Sequence, residues 1–148
     1  MDISDLDKYF ARLTISLQKT LSKDLPIKVG NLAVRLFKEN FQKESFFGRA
    51  WQEVKRRIKG AKGAASKRKI LSGPTGNLGR SIQFIPRDGA VDVVSDLHYS
   101  AAHNQGTDNA GRSHNVRIPQ RQFIGDSHEL EQAVRKKVIE EINKALKP

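Results

Sequence analysis

Ser81-Ile82-Gln83-Phe84-Ile85-Pro86-Arg87-Asp88-Gly89-Ala90-Val91-Asp92-Val93-Val94 decides the fold class. Ile82 and Phe84 alternate onto one face, the signature of a half-buried strand. Val91–Val94 is a second β-rich run. Between them lies Pro86–Ala90, and its Asp88-Gly89 pair is a turn signal. The stretch predicts a β-hairpin of strands 81–85 and 91–94.

Both flanks read as helix. Upstream, Leu6, Phe10, Leu13, Leu17 and Leu21 recur at helical spacing, with Ser4 placed to cap the start. Pro26 disfavours helical geometry at Leu25, so this helix is expected to end near Lys23. Pro26 then suits the first turn of a second helix, whose stripe is Val29, Leu32, Ala33, Leu36, Phe37 and Phe41. Trp51, Val54 and Ile58 continue as a third apolar stripe. Downstream, Tyr99–His103 reads as a short helical turn and 104–115 as a polar loop. Val116, Ile118 and Phe123 fit an extended segment around Pro119. Asp126 and Glu129 match a capping box ahead of Leu130, Val134, Val138, Ile142 and Leu146. Two or three helices, a small mostly antiparallel sheet and a long C-terminal helix make an α+β domain, one domain over residues 1–148.

Charge narrows the partner classes. The net charge is +11, and residues 54–90 alone hold ten Lys/Arg against one acid, while 1–53 and 91–148 are close to neutral. Residues 55–69 read KRRIKGAKGAASKRK. A stretch with so little to bury is expected to be a flexible loop, about 55–70. Lys55, Arg56, Arg57, Lys59, Lys62, Lys67, Arg68 and Lys69 make it a contact region for DNA phosphates or acidic protein surfaces. Trp51, ahead of it, reads first as a core residue and second as a partner contact. No aromatic lies within the loop, which counts against stacking on single-stranded bases.

The residues offer no catalytic or metal constellation. There is no cysteine. His98, His103, His114 and His128 lack metal-ligand spacing, and His103-Asn104 and His114-Asn115 do not assemble a nuclease motif. The glycines from Gly73 to Gly79 match neither a phosphate loop nor a nucleophile elbow. No apolar run approaches the roughly 20 residues of a membrane span, and the acidic N-terminus does not read as a signal peptide. The expectation is a non-enzyme without cofactor, metal or membrane.

Three segments together carry a resemblance. Ile70–Ile82 contains Leu71, then Thr75-Gly76-Asn77-Leu78, then Ser81-Ile82. Tyr99-Ser100-Ala101-Ala102-His103-Asn104-Gln105-Gly106 follows, and then Ile118-Pro119-Gln120-Arg121-Gln122-Phe123-Ile124-Gly125. In order and spacing they resemble the virion morphogenesis (tail completion) proteins of Mu-like and related tailed phages, from about Leu25 onward. Ser100 stands where that pattern usually has alanine.

The resemblance implies a structural part of the virion neck, made in the bacterial host cytoplasm. It implies a homo-oligomeric ring that completes the tail or joins it to the head, with tail-tube and head–tail connector proteins as partners. Contact with DNA through residues 55–69 is the alternative function.

Physical roles follow for the motif residues. Gly76 and Gly79 permit a sharp turn before the strand, and Thr75 caps a short helical turn. Tyr99 and His103 share a helical face, with His103 bonded near Gly106. Pro119 holds a bend and Phe123 anchors the last helix ahead of Gly125. The fork of Arg121 suits a carboxylate on a neighbouring subunit.

Overall fold

The structure, a computed structural model, describes residues 2–147. It is α+β, with a long helical N-terminus, three short antiparallel hairpins and a long C-terminal helix. The sheet is three separate two-stranded pieces.

The N-terminal helices are joined rather than broken. Helix α1 (Ile3–Lys19) runs through a wider π-helical turn, Thr20–Asp24, straight into α2 (Leu25–Lys43). The expected stop near Lys23 does not occur. The Leu25 N–H bonds the Thr20 carbonyl five residues back, and this widened turn accommodates the Pro26 ring where a tight α-turn would clash. Pro26 also leaves the Ser22 carbonyl without its ordinary helical donor. The Gly89 N–H, from the tip of the predicted hairpin, bonds that carbonyl at 3.1 Å. The α1 cap is Asp2, which accepts from the Ile3 N–H, and not Ser4.

Helix α2 ends at Glu44 in the left-handed conformation, and Ser45–Phe46 (β1) pairs with Arg49–Ala50 (β2). Trp51 therefore follows a hairpin and does not begin a helix. Lys55–Ile58 (α3) is one turn only, and Ile58 points to solvent at 70% exposure, so the third apolar stripe does not form. Ala64–Lys67 (α4) and Asn77–Arg80 (α5) are further single turns.

The hairpin that fixed the fold class is present as Ile82–Arg87 (β3) and Ala90–Ser95 (β4), turning at Asp88-Gly89. It lies against α2. Gly30 is buried there, and a Cβ on it would stand 2.4 Å from Cδ2 of Phe84, so the bare backbone admits that ring. Ser100–Gln105 (α6) is the expected helical turn. The polar stretch after it contains a strand. Thr107–Ala110 (β5) pairs with Val116–Ile118 (β6), a hairpin hidden from sequence because only Ala110 of β5 is apolar.

Helix α7 (His128–Ala145) is capped by Ser127, whose hydroxyl accepts from the Leu130 N–H at 3.0 Å. Asp126 lies one residue outside, so the Asp126–Glu129 box does not form. The core gathers Ala33, Phe37 and Phe41 of α2 with Phe46, Trp51, Val54, Ile70, Leu78, Ile82 and Phe123. Helix α7 reaches α2 through Glu141, which is buried beneath Lys28 and Lys144. Those two ammonium groups, Lys28 first, hold its carboxyl below the ordinary range. Among the described residues no helix is long and apolar enough to cross a membrane.

Candidate functional site

The three sequence segments converge on one corner of the molecule. The backbone N–H of Arg121 bonds the carbonyl of His103 at 2.8 Å. Asn104 ties the same two segments with its side chain. Its Oδ1 accepts from the N–H groups of Phe123 and Ile124 at 2.8 and 3.0 Å, and its Nδ2 donates to the Ile124 carbonyl. Gly106 has φ +75°, and a Cβ there would stand 2.8 Å from the backbone nitrogen of Gln120. That pair of constraints explains the glycine closing the second segment. The first segment joins through hydroxyls. Ser81 Oγ meets Ser95 Oγ at 2.6 Å, and Ser95 Oγ meets Ser100 Oγ.

Arg121 is almost fully enclosed and is fixed from two sides. Nε donates to the Gln52 carbonyl at 2.9 Å and Nη2 to the Glu53 carbonyl at 3.3 Å. Within the chain its partners are carbonyls, and no carboxylate pairs with it among the described residues. Phe123, next along, is 1% exposed and packs on Phe41 with ring centroids 5.4 Å apart. Trp51 closes the same cluster edge-on to Phe41, and its Nε1 donates to the Gln122 carbonyl at 2.8 Å. This places Trp51 in the core of its own chain.

The corner holds a cavity of about 310 Å³ that opens to solvent. Arg121, His103, Tyr99, Thr75 and Arg56 line it, with apolar wall from Val54, Leu71 and Leu78. Tyr99 and His103 stand edge to face at 6.0 Å, sharing a face as their spacing predicts. The His103 ring does not reach the backbone near Gly106; its Nδ1 is buried without a hydrogen-bond partner. Burial, and then the nearby charge of Arg121, hold the His103 pKa below its ordinary value. Thr75 does not cap the helical turn. Gly76 is the cap residue and Thr75 stands exposed on the cavity rim. Gly79 lies inside the turn, at ordinary contact distance from Phe41. Pro119 and Gly125 sit at either end of the extended segment that carries Arg121.

The basic stretch divides into two kinds of side chain. Arg57 forks onto Glu44 at 2.6 and 3.0 Å, and also reaches the Arg68 carbonyl. Glu44 accepts the Ile70 N–H as well, and its carboxyl is held below its ordinary value by Arg57 first. Arg56 donates to the carbonyls of Ala65, Arg68 and Lys69. Lys69 reaches the Gln42 carbonyl at 2.9 Å. Lys55, Lys59, Lys62 and Lys67 remain exposed. Two arginines read from sequence as partner contacts thus staple the segment to itself and to the end of α2. Their role was not legible because Glu44, the acid that Arg57 forks onto, lies outside the basic run, and the partners of Arg56 are main-chain carbonyls.

A family model, the phage virion morphogenesis family, matches residues 2–143. The chain belongs to the phage virion morphogenesis family. The match begins at residue 2, so α1 is part of the family domain, and the resemblance extends beyond the segments that carried it. Searches of curated proteins and of solved structures return no match. The family marks a role in building the phage particle. Its three sequence segments form one interlocked corner here, with the cavity at its centre. Among the described residues no group of three or more His, Asp or Glu side chains is placed to hold a metal ion.

Proposed function

We propose that this protein is a non-enzymatic structural part of the virion neck. It completes the tail or joins it to the head by assembling with copies of itself and docking to tail-tube and head–tail connector proteins. The observation that carries this reading is α1. It is a 17-residue helix with no buried residue, and it holds Ile3, Phe10 and Ile15 at 76%, 57% and 66% exposure. An amphipathic helix of this length gains its stability from covering its apolar face. Within the chain only part of α1 is covered, by the end of α7, where Ser16 Oγ approaches the Ala145 carbonyl. Other chains supply the rest of the cover.

The test is to size the protein alone and mixed with the tail-tube and connector proteins of the same phage, with electron microscopy of each fraction. Rings or co-eluting complexes are expected. A protein that stays single and never co-elutes with any of them under assembly conditions overturns the proposal.

The exposed lysines Lys55, Lys59, Lys62 and Lys67 favour one second reading, contact with DNA phosphates. It predicts duplex binding whose log K falls with log salt by about 0.9 per phosphate neutralised. With Arg56, Arg57 and Lys69 bonded within the chain, these four lysines and Arg68 remain, and a slope of about 4.5 is expected in place of the roughly 7 that all eight cations would give.

A further inference from the structure

Two features of the chain are left open, and they complement each other. The first is the cavity at the motif corner. Its two guanidiniums, of Arg121 and Arg56, each have Nε and Nη2 bound to main-chain carbonyls, while neither Nη1 has a hydrogen-bond partner among the described residues. No acid lines the cavity. Arg121 is buried at 8% exposure, Arg56 is half-buried beside it, and a buried charge is ordinarily paired, so a cavity with two guanidiniums and no carboxylate is a receptor for an anion. Loss of water first, and repulsion from Arg56 after it, disfavour the charged form of Arg121. The acid that partly offsets this, Glu53, makes no ion pair with Arg121; its Oε1 accepts from Arg57 and from the Val54 N–H.

The second feature is the tip of α1. Ile3, Asp7 and Phe10 follow at spacings of four and three, so they form one stripe along the helix. A carboxylate is thereby set between two exposed apolar side chains, and it makes no ion pair among the described residues. Residues 2–7 carry three aspartates and no cation, against a net of +9 over residues 54–90.

We propose that the cavity of one copy receives the Ile3–Asp7–Phe10 stripe of the next copy. The Asp7 carboxylate accepts from Nη1 of Arg121 and of Arg56, a planar acceptor for planar forks. Ile3 and Phe10 lie on the apolar rim beside it, at Leu71 and Pro74. Donor and receptor surfaces differ, so the contact is head to tail, and repetition closes a ring when the rotation between copies allows. The assignment rests on the self-assembly part of the proposed function and names the surfaces that perform it.

The experiment uses two single variants of the full chain in sedimentation equilibrium. Thr75→Glu places a carboxylate on the exposed cavity rim and leaves the α1 tip intact. Asp7→Lys reverses the tip and leaves the cavity intact. Both positions are exposed, and circular dichroism checks that each variant folds. The wild type is expected to self-associate beyond a dimer, with each variant weakened at least about tenfold. An equimolar mixture of the two is expected to form dimers and nothing larger, because one good tip and one good cavity remain. A wild type that stays monomeric to about 1 mM overturns both self-assembly and this contact. A wild type that associates while either variant associates equally well overturns the contact alone and leaves self-assembly standing.

Discussion

The Nε–H of Arg121 donates to the carbonyl of Gln52 at 2.9 Å, across 69 residues of chain. With Nη2 on the Glu53 carbonyl, one guanidinium fastens the third sequence segment to the strand-like stretch after Trp51. Hydrogen bonds from a charged donor contribute about 1.5–3 kcal/mol each, and both of these bonds are partly buried. Arg121→Ala is expected to lose about 2–4 kcal/mol of stability, read as a lower urea midpoint at unchanged slope. Arg121→Lys recovers little of it, because a single ammonium cannot span both carbonyls along the same fork.

Gly106 and Gly89 separate backbone strain from overlap. Both have positive φ, at +75° and +68°. A Cβ on Gly89 meets open space, whereas one on Gly106 stands 2.8 Å from the Gln120 nitrogen. Gly89→Ala is expected to cost about 1 kcal/mol, the left-handed penalty alone. Gly106→Ala adds the overlap with main chain that cannot rotate away, and about 3 kcal/mol in total is expected. Thermal unfolding of the two variants side by side checks the difference.

Acidification is expected to weaken the fold in two steps. His103 is held below its ordinary value near 6.5 by burial. The unfolded chain therefore binds a proton that the native state refuses, and stability falls as pH drops below about 6.5. Glu44 is held below its ordinary value near 4.5 by Arg57 and the Ile70 N–H. Its contribution is complete above that value and is lost as pH falls through the native pKa. Denaturation midpoints from pH 8 to pH 3 trace both steps. His103→Gln is expected to remove the upper step. Glu44→Gln removes the lower one and also lowers the plateau, since Arg57 is left without its fork partner.

The single tryptophan reports on its own placement. Trp51 is buried against Phe41 and bonded to the Gln122 carbonyl. Its emission is expected to be blue-shifted and poorly quenched by acrylamide in the free protein, and to stay unchanged on assembly. Emission typical of exposed indole, or a large shift on adding partners, contradicts a core role. Trp51→Phe keeps most of the packing and loses the hydrogen bond, at about 1–2 kcal/mol.

What the sequence revealed and what it hid follow from range of action. The stripes of α2 and α7 and the β3–β4 hairpin were legible because apolar period and turn chemistry are local. The junction at Thr20–Asp24 was not, because Pro26 is a reliable breaker only where no wider turn and no outside donor such as Gly89 relieve it. The β5–β6 pair was hidden by β5, where Thr107, Asp108 and Asn109 leave no apolar alternation to read, although Val116 and Ile118 of β6 did read as extended. At the site, the three segments were readable as motifs. Their interlocking was not, because it depends on main-chain bonds such as Arg121 to His103 that no side-chain pattern encodes. Arg56 and Arg57 looked like surface charge because their partners are carbonyls and one distant acid.

Helix α1 offers the sharpest separation of folding from assembly. The family match takes it in, yet it buries none of its residues in this chain, and the core begins with Leu25 and Ala33. Substituting an exposed residue ordinarily changes stability by less than about 0.5 kcal/mol, and in α1 only Leu13 and Leu17 are half-buried. The few contacts between α1 and α7 raise the expected cost of deleting residues 2–19 to about 1 kcal/mol. Thr20, which is buried, stays in place. The shortened chain is therefore expected to fold, with a near-native melting curve and the same blue-shifted Trp51 emission, while self-association is lost. Losing the fold instead places α1 in the stability of the single chain. Keeping both fold and association shows that the exposed apolar face has no role in joining copies.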